Sequence, residues 1–392
     1  MSVPLELPPL TPEESAHAAR VEARLREEIA AAGGWIGFAR YMQLALYEPG
    51  LGYYSAGAHK LGASGDFVTA PEVAPVFSRC LALQCEEVLR AHGGGDLLEL
   101  GAGSGVMAAG ILGELERRGA LPHRYRILDV SADLRDRQRA TLADAVPHLL
   151  DRIEWLDRLP EALDGVVVAN EVLDALPVGR FVMRGGAVHA LGVACRDGRL
   201  QWSEAVAPAR LVAAVRRIER EAGANWPEGY ASEVNLGLGD WLASLAGSLA
   251  RGLMLFVDYG LPRREYYAAE RGDGTLLCHV RHRFHDDPFV RPGLQDITAW
   301  VDFTAVAESA EAAGLTVAGY ATQAHFLIGN DLGGFVTHVA DLDLASRVNL
   351  SRQAMLLTLP GEMGERFKVM ALAKGCDLPL RGFAVRDLRR TL

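Results

Sequence analysis

An acid, an apolar run and three glycines stand together at Leu97-Leu98-Glu99-Leu100-Gly101-Ala102-Gly103-Ser104-Gly105. The apolar residues predict a strand and Val106 to Arg118 predicts a helix, so the loop between them falls at the carboxyl edge of a sheet, where open α/β folds take up ligands. Gly101, Gly103 and Gly105 permit positive φ and let the backbone come close to a bound molecule. A tight structural turn would use the same residues. The pattern is G-x-G-x-G, and Val106 occupies the place where a dinucleotide fingerprint has its third glycine. Glu99, two residues before the first glycine, would repel a pyrophosphate and suits a cationic amino group.

That arrangement resembles motif I of the Rossmann-like S-adenosylmethionine-dependent methyltransferases, and two further segments are read with it. Asp129, in Ile127-Leu128-Asp129-Val130-Ser131, ends the next strand, where a carboxylate can accept hydrogen bonds from both ribose hydroxyls. The competing role, capping the following helix, fits Ser131 or Asp133 better. Further on, Asn170-Glu171-Val172-Leu173-Asp174-Ala175-Leu176-Pro177 leaves the sheet edge beside the glycine loop. With S-adenosylmethionine as cofactor the methyl acceptor has to lie there, its lone pair held about 3 Å from the methyl carbon and water excluded. An arginine acceptor stays protonated in water. Glu171 and Asp174 would hold its guanidinium in a bidentate pair and receive the released proton, with Asn170 beside them. The rival reading makes Asp174 a helix cap and Glu171 a solvated edge charge.

Other clusters carry less. Ser64-Gly65-Asp66-Phe67-Val68-Thr69-Ala70-Pro71-Glu72 combines a flexible start with acid, aromatic and hydroxyl groups; Asp66 and Thr69 are expected to close over the cofactor, unless the segment only caps the helix Val73 to Arg90. Asp258-Tyr259-Gly260 ends a later strand at the same edge. Cys278, His279, His282 and His285 are metal-like in type but lack the spacing of a structural site, so no metal is expected. Asp296, Thr298, Asp302, Phe303, Gln323 and His325 either line the acceptor side or cap helices.

The elements that must position these groups alternate from Asp96 onward, which predicts a mostly parallel sheet covered on both faces. The strands are placed at Leu97–Leu100, Tyr125–Val130, Ile153–Trp155, Val166–Ala169, Leu253–Asp258, Leu315–Gly319 and Phe367–Ala373. Ahead of them, Thr11-Pro12-Glu13-Glu14 has capping-box spacing and opens a helix with Val21, Leu25 and Ile29 on one face; a second helix is read over Ile36 to Leu46. An insertion of about eighty residues separates the fourth and fifth strands, far above the usual 2–6 of such connections. Phe181 to Glu204 reads as β-hairpins and Pro208 to Leu249 as helix. Gly260 to Gln295 is read as a polar loop, Asp302 to Ala313 as a helix, and Leu332–Leu359 as a helical stretch. The division expected is an N-terminal helical and loop segment, 1–92, a core of 93–178 and 250–392, and an inserted subdomain, 179–249.

Composition excludes several classes. Forty Lys and Arg against fifty Asp and Glu leave a net charge of −10 in 392 residues, with no basic field for a phosphate backbone, so nucleic acid is not the expected partner. Five cysteines without a C-x-x-C pair argue for a reducing compartment. No apolar run approaches a membrane span, and Met1 to Ser15 has three glutamates and no Lys or Arg, unlike a presequence. A cytoplasmic protein without membrane insertion is the expectation.

Taken together, the segments resemble the MidA-type family of S-adenosylmethionine-dependent methyltransferases, which includes a mitochondrial complex I assembly arginine methyltransferase. The matching stretches are Tyr47-Glu48-Pro49-Gly50-Leu51-Gly52-Tyr53-Tyr54, Gly65 to Glu72, Glu99 to Gly105, Asn170-Glu171 with Asp174-Ala175-Leu176-Pro177, Asp258-Tyr259-Gly260, Gln295 to Thr298, Val301-Asp302-Phe303 and Gly364 to Lys368. The resemblance implies a Rossmann-like class I methyltransferase with a seven-stranded sheet, extra helical parts and S-adenosylmethionine as cofactor. For the mitochondrial member it implies symmetric dimethylation of an arginine on a respiratory-complex subunit. Two rivals share parts of this pattern: a non-catalytic assembly chaperone that binds the cofactor for stability, and a nicotinamide oxidoreductase, which Val106 and Glu99 disfavour.

Overall fold

Seven apolar runs become seven strands of one sheet in the computed structural model, which describes residues 7–56, 69–281, 283–337 and 343–392. In chain order they are β1 (Asp96–Leu100), β2 (Tyr125–Leu128), β3 (Ile153–Leu156), β4 (Leu163–Asn170), β5 (Leu249–Leu261), β6 (Thr316–Thr322) and β7 (Phe367–Lys374). Their spatial order is β6-β7-β5-β4-β1-β2-β3, and the two-residue strand Val301–Asp302 pairs parallel with Gly260–Leu261 at the end of β5 as an eighth. The pairs from β5 to β3 are parallel, whereas β7 runs antiparallel to both β5 and β6. Strands buried on both faces need near-continuous apolar sequence, and Val166, Val168, Leu253 and Leu255 are fully enclosed. Chain order reverses between β1 and β4, and their carboxyl ends open the crevice in which such sheets hold ligands. The glycine loop leaves β1 and Asn170 ends β4 at that crevice.

The residues sort into two units. One comprises 68–174, 238–263 and 301–392 and contains this sheet; the other comprises 1–67, 175–237 and 264–300. The boundaries therefore run differently from the division read in the sequence. Trp35, Ile36 and Gly37 pair with Ala194, Val193 and Gly192, so the chain's beginning and the insertion share one sheet. The helix Pro75–His92, by contrast, packs Phe77, Cys85 and Leu89 into the core of the first unit.

Within the second unit the capping box forms, with Thr11 N donating to Glu14 Oε2 at 2.8 Å and Glu14 N to Thr11 Oγ1 at 3.2 Å. The helix it opens, Pro12–Ala31, buries Val21, Leu25 and Ile29. The helix expected from Ile36 starts at Phe38, because Trp35–Gly37 is drawn into the sheet. The hairpins appear as Gly179–Arg184, Ala187–Arg196 and Arg199–Val206. Pro208 to Leu249 is not helix throughout: a left-handed Gly223 ends the helix Ala209–Ala222, and Ala231–Val234 adds a strand beside Gly179–Val182. The expected polar loop from Gly260 also contains the strands Leu277–Val280 and Arg283–His285, which form a small sheet with Asp296–Thr298 just after it. Among the described residues no helix is long and apolar enough to cross a membrane, and no group of three His, Cys, Asp or Glu is placed to hold a metal ion.

Candidate functional site

The loop after β1 is a chain of left-handed turns, with φ of 63° at Gly101, 55° at Gly103 and 85° at Gly105. Residues with side chains rarely adopt that backbone, which is why the sequence spends three glycines in five positions. Gly105 then opens the helix Val106–Arg117, and Gly101 N donates to Leu128 O at 3.0 Å, tying the loop to the end of β2. The helix Ala70–Val73 packs against the helix Val106–Arg117. Thr69 precedes that short helix, half-buried, and its hydroxyl makes no capping bond. Asp66 lies outside the described residues.

Glu99 is buried. Its Oε2 accepts from the Tyr125 hydroxyl at 2.5 Å, and its Oε1 has no partner among the described residues. Burial pushes its carboxyl up to about 7, against the pull of the Tyr125 bond and with help from the charge of Asp129. Asp129 sits just past β2, also buried; Oδ1 accepts from Ser131 N at 2.9 Å and Oδ2 from Gln138 Nε2 at 2.8 Å. It does not cap the following helix; Ser131 does, accepting from Leu134 N. Val130 is 71% exposed, an apolar face beside that carboxylate which the sequence reading passed over.

At the end of β4 the backbone breaks sharply. Glu171 has φ 53°, unusual for a residue with a long side chain and the kind of local cost met at functional sites. Its N–H donates to Val257 O at 2.9 Å, and its Oε1 accepts from Asn170 Nδ2 at 3.0 Å. The group that shapes this corner comes from β5. Asp258 Oδ2 accepts from the N–H groups of Val172, Leu173 and Asp174 at 3.2, 2.9 and 3.3 Å, and Oδ1 from Tyr259 N at 2.9 Å. Burial, with the charges of Asp174 and Glu171, pushes the Asp258 carboxyl well above the usual carboxylate range, opposed by those N–H bonds. Asp174 caps no helix: it is buried and accepts from the Tyr259 hydroxyl. Three carboxylates, Glu171, Asp174 and Asp258, thus gather at one corner, with Asp258 as the organiser that the Asp-Tyr-Gly run only hinted at.

The remaining candidates separate. Asp302 caps the helix Phe303–Ala312 and pairs with Arg263, and burial pushes its carboxyl up to about 6. Thr322 caps the helix Gln323–Gly329 and meets His325 Nδ1 at 2.6 Å. Gln323 donates to Leu357 O. Asp296 and Thr298 belong to the small sheet of the other unit, where Asp296 accepts from Tyr54.

A family model described as "Putative S-adenosyl-L-methionine-dependent methyltransferase" matches residues 80–321, a span that runs from before the glycine loop through β6. The chain belongs to this family. The methyltransferase is 42% identical to a crystal structure from Burkholderia thailandensis bound to S-adenosyl-homocysteine, with a TM-score of 0.93 over 99% of this chain and 100% of that one. It is 28% identical to the Drosophila melanogaster protein named "Protein arginine methyltransferase NDUFAF7 homolog, mitochondrial", over 95% of this chain and 90% of that protein. The Homo sapiens "Protein arginine methyltransferase NDUFAF7, mitochondrial" is likewise 28% identical, over 86% and 80%. The methyltransferase therefore uses S-adenosylmethionine on a class I fold.

Proposed function

We propose that this methyltransferase modifies arginine side chains of a protein substrate. The observation that carries the reading is the carboxylate corner at the end of β4, where Glu171, Asp174 and Asp258 meet at the carboxyl edge of the sheet. A guanidinium is cationic, planar and keeps its proton in water. Paired carboxylates offer it bidentate hydrogen bonds and a place for the proton that leaves as the nitrogen is methylated. Asp258, engaged by four N–H groups, holds the turn; Glu171 and Asp174 orient the acceptor, with Asn170 beside Glu171. The names of the relatives at 28% identity support the same acceptor.

When bound, S-adenosylmethionine supplies an electrophilic methyl group. Gly101, Gly103 and Gly105 admit its backbone-facing side, Asp129 takes the ribose hydroxyls, Val130 lies against the base, and the open oxygen of buried Glu99 suits the ammonium. Thr69, ahead of the short helix Ala70–Val73, completes the cofactor side. A respiratory-complex subunit is the acceptor to try first, on the resemblance set out above, in a cytoplasmic setting.

The test is to incubate the purified enzyme with isotopically methyl-labelled S-adenosylmethionine and extract from cells lacking its gene, then hydrolyse the labelled protein. Label in methylated arginine is expected. Label confined to lysine or to carboxyl groups would replace arginine as the acceptor.

A further inference from the structure

The geometry points to Gln138 as a positioning residue that fixes the distance between the glycine loop and the ribose acceptor. Gln138 lies on the helix Ala132–Ala145, in the buried stripe Leu134, Gln138, Leu142, and is completely enclosed. Its Nε2 donates to Asp129 Oδ2 at 2.8 Å and to Gly103 O at 3.1 Å. Its Oε1 accepts from the indole N–H of Trp155, next to last in β3, at 3.0 Å. An indole N–H only donates, while a carboxylate and a carbonyl only accept, so the amide can stand one way round. Both amide hydrogens and the amide oxygen are thereby used.

One side chain thus spans the two segments to which the cofactor is assigned. The helix lies hard against the loop as well: a Cβ on Gly105 would come within 3.0 Å of the Gln138 Cα. One turn earlier Arg135 Nε donates to the Asp129 carbonyl at 2.8 Å, and its Nη2 to Leu156 O at 2.6 Å. Asp129 is therefore fixed by its main chain through Arg135 and by its side chain through Gln138. Only the second tie reaches the glycine loop. A nucleoside seated between Gly103 and Asp129 meets a span set before it arrives, and preorganisation of this kind raises affinity by removing the cost of ordering on binding.

The inference rests on the cofactor roles proposed for Gly103 and Asp129, and the test separates the two. Calorimetric titration with S-adenosylhomocysteine is run on the parent, Gln138→Leu, Asp129→Ala and the double variant, with urea unfolding of each protein without ligand. Gln138→Leu should weaken binding by about ten- to a hundredfold, the size expected for losing a hydrogen bond to a charged group with its partners left buried. In the Asp129→Ala background the same change should add less than about threefold, because the two residues act as one unit. Independent, multiplying losses would reduce Gln138 to general structural support and overturn the inference, as would binding by Gln138→Leu within twofold of the parent. Asp129→Ala binding like the parent would remove the ribose assignment and the inference together. If Gln138→Leu does not fold, Gln138→Glu decides: it keeps size and the acceptor for Trp155 but sets a second carboxylate against Asp129. Affinity more than about tenfold below the parent at pH 8 upholds the positioning role; affinity within twofold ends it.

Discussion

The turn after β1 and the turn after β4 lie at neighbouring strand ends of one sheet and are built by opposite means. The first is backbone chemistry: three left-handed glycines, a carbonyl and amides, with a single carboxylate, Glu99, held by a phenol. The second is side-chain chemistry: three carboxylates crowded at one corner, held by N–H groups that converge on Asp258. A backbone site is written in contiguous residues and tolerates little change in them. A charge cluster is assembled across the chain, here with Asp258 bonding to Asp174 over 84 residues, and under the function proposed above its members should be alterable without loss of cofactor binding. Binding and transfer should therefore fail separately.

The most severe separation is expected from Gly103→Val. A β-branched residue cannot hold φ near 55° without strain, so the turn proposed to cradle the cofactor should lose its shape. Binding of S-adenosylhomocysteine should fall below calorimetric detection while far-UV circular dichroism stays near the parent's. Retained affinity would mean that the loop does not cradle the cofactor.

Next in size is Glu171→Gln on the other side. The amide keeps shape and hydrogen-bonding capacity but loses the charge, so transfer to the physiological acceptor should drop by about two to four orders of magnitude. Affinity for S-adenosylhomocysteine should stay within about threefold. If rate is unchanged, or if cofactor binding is lost instead, the two turns do not divide the labour as described, and Asp174 or Asp258 takes the role.

The smallest effect sharpens the contrast between a lone carboxylate and a cluster. Folding raises the Glu99 carboxyl from 4.5 to about 7. The folded protein thus keeps a proton that the unfolded chain has released, and Glu99 favours folding most below pH 4.5. That contribution drains away as pH rises towards 7, by about 3 kcal/mol across the window. Glu99→Gln carries no such proton. Urea unfolding without ligand should show the parent losing about this much stability relative to Glu99→Gln between pH 4.5 and 7.5; parallel pH profiles would contradict it. The same deprotonation should strengthen binding of the cofactor's ammonium in the parent alone.

The seven long strands of the large sheet were legible because they are apolar runs set off by glycine and charged turns, and burial on both faces leaves no alternation to misread. The place of the glycine loop after β1 and of Asp129 just past β2 was legible for the same local reason. The strand Ala231–Val234 was not, since Ala-Ser-Glu-Val has little β propensity and is held by pairing with Gly179–Val182 and by the buried ion pair of Glu233 with Arg180. Ile36 and Gly37 read as the start of the helix that follows because the pairing partners of Trp35–Gly37 lie more than 150 residues away in sequence. Asp258 was seen at the right edge, but its hold on residues 172–174 depends on the β4–β5 pairing. Gln138 did leave a trace that was overlooked: a polar residue centred between Leu134 and Leu142 on a buried stripe has to be satisfied by something.

The position of β7 between β5 and β6 sets a condition on biosynthesis. As a ribosome extends the chain, β1 to β5 can pair in the order they emerge, but β6 has no neighbour until Phe367–Lys374 arrives to join it to β5. Until then the nascent sheet presents open strand edges, the surface most prone to wrong pairing. A message truncated anywhere before Phe367 leaves that gap for good, so its product should be handed to chaperones and proteases even though every residue of the glycine turn has already been translated.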